Sequence, residues 1–208
     1  MECALCSGRG DKFIEVREKR YYRCSKCKSI FMHNKDFLSK EDEEARYREH
    51  NNDVEDSRYQ EFVSDITNEI KKDWKNTARG LDFGAGTGPV ITKLLNDKGY
   101  DVEIYDPFFW NENKLLNKTY DFIVLCEVIE HFHNPLHEFE LLYSLLNERG
   151  KLYCKTDIYK DEIDFKSWYY KDDPTHVFFY HEETFKWMVE NIGFNNYEIK
   201  DRVIILEK

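Results

Sequence analysis

No run of about 18 apolar residues occurs in the sequence, so no membrane-spanning helix is expected. The opening residues, MECALCSGRG, lack the basic-then-apolar order of a secretion signal. Positive charge is short: 31 Lys and Arg stand against 41 Asp and Glu, a net charge of −10. That balance excludes a general nucleic-acid binder, which needs concentrated cations to neutralise phosphates, while leaving room for a local basic patch. Internal repeats and low-complexity stretches are also missing. Without a secretory context, the six cysteines are expected to be reduced thiols or metal ligands rather than disulfides. What remains is a chain expected in the cytoplasm, 208 residues long, 41% hydrophobic and 16% aromatic. That is enough for one ordinary domain and a small appendage.

The appendage has its own signature. Cys3 and Cys6 stand in CALC, Cys24 and Cys27 in CSKC, and 17 residues separate the pairs. Each pair suits a tight knuckle that aims two thiolates at one ion, and four thiolates at this spacing point to tetrahedral zinc. The intervening KFIEVREKRYYR alternates enough for a hairpin. A lobe this small could hardly fold without its ion, and a closed four-thiolate site leaves no position for substrate. The zinc is therefore expected to be structural, and residues 1–33 are read as a zinc-ribbon-like module.

Residues 34–76 read as a helical extension. Ser39 and Asp42 form an N-terminal cap signal, and Tyr59, Phe62, Val63, Ile66 and Ile70 share one face of a helix reaching Trp74. Glu49 to Asp53, EHNND, is expected to split the segment into two helices. From 77 to 208 strands and helices alternate. RGLDFG is a strand, and PVITKLLNDKG a helix with Pro89 in its first turn and Gly99 beyond its end. YDVEIYD and YDFIVLCEV are strands, NPLHEFELLYSLL a helix, GKLYCKT a strand and HEETFKWMVENIG a helix; FNNYEIKDRVIILEK closes with two strands. This order predicts an α/β fold with a doubly wound, mostly parallel, Rossmann-like sheet whose ligands sit at the carboxyl ends of the strands. Cys126 and Cys154 fall near strand ends and are read as packed thiols.

LDFGAGTGP is a glycine loop between strand and helix. Gly84, Gly86 and Gly88 permit positive φ and close approach of a ligand, and the helix start offers free amides to a carboxylate or phosphate. The dinucleotide pattern would require glycine where Pro89 stands, which weakens an oxidoreductase reading. Asp106 ends the second strand, 18 residues past Gly88, where a carboxylate can accept both ribose hydroxyls.

LDFGAGTG, YDPFF, YDFIVLCEVIEHFHNP and DPTHVFFYHEETF, in this order, resemble the class I S-adenosylmethionine-dependent methyltransferases, and more narrowly the subgroup with an N-terminal four-cysteine zinc module. The resemblance covers nearly the whole chain. It implies that the loop Gly84, Ala85, Gly86 to Gly88 holds the methionine end of the cofactor, with Asp82 orienting it. It places Asp106 and Pro107 at the ribose, and Cys126 and Glu127 beside the methionyl group. PFFWNENKLLNKTY departs from the family: it is too short for a third strand and lacks the usual adenine-binding acid. Phe108 or Phe109 would then sandwich the adenine, unless both belong to the core.

The densest chemistry lies in LCEVIEHFHNPLHEF. Glu127, Glu130 and His131 fall at i, i+3 and i+4, one face of a helix start, and His176 lies in the loop after the next strand. The sulfonium cofactor carries an activated methyl group, so the protein aligns a nucleophile and supplies a base or metal only when that nucleophile starts out protonated. Three readings stay open. Glu127, Glu130, His131 and His176 hold a divalent ion, Mg²⁺ or Mn²⁺, as the resemblance to metal-dependent O-methyltransferases of RNA ribose or quinone precursors implies. Alternatively, the pocket is metal-free with His131 or His176 as base beside Glu130, or the cluster is structural. His133 is out of phase and His137 reads as exposed; neither is counted as a ligand. Tyr47 and His50 are placed to close over the cofactor, and the aromatic stretch Trp168 to His181 is either a lid packed on the core or a substrate wall. The expected function is S-adenosylmethionine-dependent methyl transfer, O-directed, to a small-molecule or RNA hydroxyl. Sugar C-methylation ranks second, because such enzymes carry a further C-terminal domain after the point where VIILEK ends this chain. An inactive, methyltransferase-like binding module ranks third, since the glycine loop is intact.

Overall fold

The computed structural model describes residues 1–49 and 53–208. Four strands fix the architecture around the glycine loop: β4 (Arg79–Phe83), β5 (Asp101–Tyr105), β6 (Tyr120–Cys126) and β7 (Leu146–Lys155). They pair in parallel, β5 with β4, β4 with β6 and β6 with β7. The C-terminal hairpin β9 (Asn196–Lys200) and β10 (Val203–Glu207) then adds antiparallel through β10, giving the order β5-β4-β6-β7-β10-β9. The sheet is mostly parallel, as expected, with six strands. Residues 113–117, in the stretch too short for a third strand, form a 3₁₀ turn that buries Leu115.

Strand β6 reads FIVL without alternation, and Phe122, Ile123, Val124 and Leu125 are all buried. A central parallel strand covered on both faces demands that pattern. One cover is helical: Val63, Ile66 and Ile70 of the N-terminal extension pack with Val90, Ile91 and Leu95 of α4 (Val90–Asn96). The other cover includes Phe139, Leu142 and Leu145 of α5 (Pro135–Leu145) and Phe185 and Met188 of α6 (Glu182–Ile192).

Among the described residues the extension forms three α-helices rather than two, α1 (Lys40–Arg48), α2 (Ser57–Phe62) and α3 (Ser64–Asp73), and most of the expected EHNND break lies outside those residues. Ser39 caps α1 as expected, accepting from the Asp42 amide at 3.1 Å. The additional break is at Val63, whose ψ of 3° lies outside the helix while its side chain is fully buried.

The N-terminal strands β1 (Gly10–Val16) and β2 (Lys19–Cys24) form the expected hairpin, closed by Arg17 and Glu18, both at positive φ. Positive φ at both central residues matches the right-handed twist of the strands. β2 pairs with β3 (Ile30–Met32), and β3 with β8 (Phe178–Phe179), a two-residue strand from the aromatic stretch. One sheet therefore runs across the expected boundary at residue 33, and the cysteine lobe shares a core with Tyr180, Phe185 and Met188.

Candidate active site

The carboxyl ends of β4, β5 and β6 open into a cleft of about 890 Å³. Asp82, Gly84, Ala85, Gly86, Gly88, Asp106, Pro107, Cys126 and Glu127 all line it, as do Tyr47, Phe108 and Phe109. Gly84 and Gly86 use the permitted positive φ, at 79° and 65°; Gly88 does not. At Gly84 the close neighbour is protein: a Cβ there would come within 2.7 Å of Val128. Asp82 is buried, accepts from Thr92 Oγ1 at 2.8 Å, and burial pushes its carboxyl up to about 6. Asp106 does more than face the cleft. Its Oδ2 accepts from the Gly86 amide at 2.9 Å, and its Oδ1 from the amides of Phe108 and Phe109 at 2.8 and 3.1 Å. Trp110 Nε1 donates to the Gly86 carbonyl, so this glycine is clamped on both sides.

Beyond Cys126 the chain does not continue as a helix. Glu127 adopts φ of 53°, and only a 3₁₀ turn, Ile129–His131, follows. The expected i, i+3, i+4 face is therefore lost. Glu130, His131 and His176 converge, their ligand atoms all within 4.8 Å of one another. The Glu127 carboxylate is not part of that group; Arg202 Nη2 donates to both its oxygens, at 2.8 and 2.9 Å. Glu130 is fully buried and accepts from Tyr170 Oη at 2.5 Å and Thr156 Oγ1 at 3.0 Å. Burial raises the affinity of both glutamates for protons. His131 Nδ1 lies 3.0 Å from the Thr175 carbonyl and His176 Nδ1 2.6 Å from the Tyr170 carbonyl. A carbonyl can only accept, so both Nδ1 atoms carry hydrogen, and in a neutral ring Nε2 then carries the lone pair. Those Nε2 atoms lie 4.0 and 3.9 Å from Glu130 Oε1. Burial keeps His131 below the usual imidazole range, hence neutral.

Tyr47 reaches the cluster from α1, its ring 5.3 Å from His131, and Arg46 fixes the helix to Asp173 of the aromatic stretch at 2.8 Å. His50 lies outside the described residues. His133 and His137 also line the cleft, facing Glu43 at 3.6 Å and Glu138 at 3.5 Å. In the aromatic stretch Trp168, Phe178, Phe179 and Tyr180 are buried in the core, while Tyr169, Tyr170 and His176 line the cleft.

Residues 55–199 match the family model of the methyltransferase domain. The chain belongs to this methyltransferase family. Solved structures agree on the fold. A SAM-dependent methyltransferase from Archaeoglobus fulgidus aligns with 72% of this chain and 94% of its own at TM-score 0.54 and 18% identity. Human N-acetylserotonin methyltransferase in complex with SAM aligns over 72% and 53% at TM-score 0.52 and 12% identity. An O-methyltransferase family protein from Burkholderia thailandensis aligns over 79% and 61% at TM-score 0.51 and 13% identity. The chain thus spans little more than half the length of the human and Burkholderia proteins. No curated protein matches the sequence.

In this methyltransferase the cleft suits a nucleoside joined to an amino acid. Asp106 stands at a strand end, the left-handed glycines lie beside it, and Leu116, Phe132 and Leu141 form an apolar wall for a base. The cysteine lobe suits an ion equally well. Cys3, Cys6, Cys24 and Cys27 are buried with all Sγ atoms within 4.8 Å of one another. Cys3–Cys27 and Cys6–Cys24 Sγ separations are 3.8 and 3.3 Å. Metal–sulfur bonds of about 2.3 Å make a tetrahedron with edges of about 3.8 Å. Each CxxC is followed by a left-handed residue, Ser7 and Lys28, so the two knuckles share one turn geometry. Gly8 is required there, since a Cβ would lie 2.9 Å from Cys24 Sγ.

Proposed function

We propose that the protein transfers a methyl group from S-adenosylmethionine to an acceptor oxygen, with the cysteine lobe as a structural zinc site. Asp82, the Gly84–Gly88 loop with Ala85, Asp106, Pro107, Cys126 and Glu127 would hold the cofactor, which supplies an electrophilic methyl on a sulfonium. The protein's part is to bring an acceptor hydroxyl into line and manage its proton. Glu130, His131 and His176 are assigned that task. The observation that carries the reading is the orientation of the two imidazoles: each donates Nδ1–H to a backbone carbonyl and turns Nε2 toward Glu130. Metal-binding histidines are fixed in this way. Glu130, His131 and His176 would hold Mg²⁺ or Mn²⁺, which would polarise the acceptor oxygen and lower its pKa. Glu127 is left out of this ligand set because Arg202 holds it. Thr156 and Tyr170 act as positioning residues that keep Glu130 aimed.

Titration of zinc-replete protein with S-adenosylhomocysteine tests the cofactor site, and no binding would overturn the assignment. Stimulation by Mn²⁺ that Glu130→Ala abolishes is the expected result for the ion. Activity that survives chelation with the cysteine-bound zinc retained would transfer the role to a histidine base.

A further inference from the structure

The main cleft is rich in carboxylates. Glu43, Asp82, Asp106, Glu127, Glu138 and Asp173 line it, and among the described residues no Lys or Arg does. Among the described residues, two of the six have an arginine partner: Glu127 with Arg202 and Asp173 with Arg46. Glu43 is the informative one. It is 8% exposed, accepts from Tyr47 Oη at 2.8 Å, faces His133 Nε2 at 3.6 Å, and forms no ion pair with Lys or Arg among the described residues. It also lines a side cavity of about 470 Å³ that shares Glu43, Phe108 and His133 with the main cleft and adds Phe37 and Leu38. The contacts run continuously from Glu43 through Tyr47 and His131 to His176, so this carboxylate stands on the approach to the proposed reaction centre.

With Asp82, Asp106 and Glu127 assigned to the cofactor, a phosphate-bearing acceptor would meet Glu43, Glu138 and Asp173 in the main cleft, where among the described residues no arginine or lysine lines the wall to receive it. A buried carboxylate in a cavity lined by Phe37, Leu38 and Phe108 instead favours an ammonium group, through charge. Resting on the methyltransferase reading above, we propose that the acceptor is a small ammonium-bearing molecule, with Glu43 as the residue that selects its charge. Lys40 also lines the side cavity, over the Phe108 ring at 5.9 Å, so the ammonium would have to sit on the Glu43 side, away from that lysine.

Three probes that share a vicinal-diol ring and differ in charge decide it: dopamine, methylcatechol and dihydroxyphenylacetate. Each is titrated into zinc-replete protein saturated with S-adenosylhomocysteine, with and without Mn²⁺. Dopamine is expected to bind at least tenfold more tightly than dihydroxyphenylacetate, with methylcatechol between them. Glu43→Gln should collapse that order, bringing the ratio of dopamine to dihydroxyphenylacetate affinity below about twofold. Charge-blind binding, preference for the anion, binding of none of the three, or displacement by a short RNA would overturn the proposal. Failure to bind S-adenosylhomocysteine would instead overturn the methyltransferase reading, so the two failures are separable.

Discussion

Asp106→Ala is the most informative single change, because the structure gives this carboxylate two tasks. It faces the cleft, where the ribose reading needs it, and it joins the glycine loop to the turn after β5 through three amide donors. Hydrogen bonds to a charged group each contribute about 1.5–3 kcal/mol. Two of the three fall on successive amides of one turn and are not independent, and the cleft lets water reach the freed donors. Loss of about 3 kcal/mol is therefore expected. For a chain of this size each kcal/mol moves the melting midpoint by about 2–4 °C, so a fall of about 6–12 °C should appear in a calorimetric scan. Saturating S-adenosylhomocysteine should restore less of that in the variant than in wild type, since the ribose contact is lost as well. Asp106→Asn should fall between, because its amide presents a donor to the Gly86 N–H. A melting midpoint unchanged in Asp106→Ala would show that the three amide contacts do not hold the loop. An unchanged dissociation constant would separately refute the ribose role.

Removing zinc with a chelator, or replacing Cys24 by Ser, should unpair β3 from β8 and weaken cofactor binding; zinc release measured alongside near-ultraviolet circular dichroism checks it, and an apo-protein with intact spectrum and affinity would contradict it. Asp82 sets a pH dependence. Its folded carboxyl titrates near 6 because it is buried, whereas an unfolded aspartate titrates near 4. The folded state binds the proton more tightly, so the stabilisation is complete below about pH 4 and lost as pH rises through 6. Wild type should lose on the order of 3 kcal/mol relative to Asp82→Asn across that window, read from denaturant midpoints, and parallel curves would refute it. Arg202→Ala and Glu127→Gln should show a coupling energy of about 1–2 kcal/mol in a double-mutant cycle, and additive effects would mean that the ion pair does not fix Glu127.

Local pattern reached the fold because local pattern causes it. The apolar run Phe122–Leu125 and the cap at Ser39 are each readable within a few residues, and each is found. The site was legible in its parts but not in its wiring. His176 could be placed near His131 from strand order alone, since both follow carboxyl ends of adjacent strands. Glu127 could not. Its ligand role was inferred from helical spacing, and one left-handed φ cancels that spacing. Arg202, which takes its carboxylate, lies 75 residues away in a polar hairpin turn that carries no motif. The same limit hid Tyr170, whose hydroxyl also reaches Glu127 at 3.2 Å, within a stretch where many aromatics are simply core.

The pairing of β3 with β8 has a consequence for how the cysteine lobe relates to the cleft. Phe178 and Phe179 extend the N-terminal sheet, and His176 stands two residues before them. The Val177 amide donates to the Glu130 carbonyl at 2.9 Å, and the Val177 carbonyl accepts from Met32. A single extended segment is thus tied to the cysteine lobe on one side and to the 3₁₀ turn of Glu130 and His131 on the other. Thr184, at the start of α6, also donates to the Cys27 carbonyl at 2.9 Å. Movement of the lobe would therefore displace His176 against Glu130 with few soft joints between them. An ion that only closes four thiolates would still act on the reaction centre, by holding one imidazole at a fixed distance from a buried carboxylate.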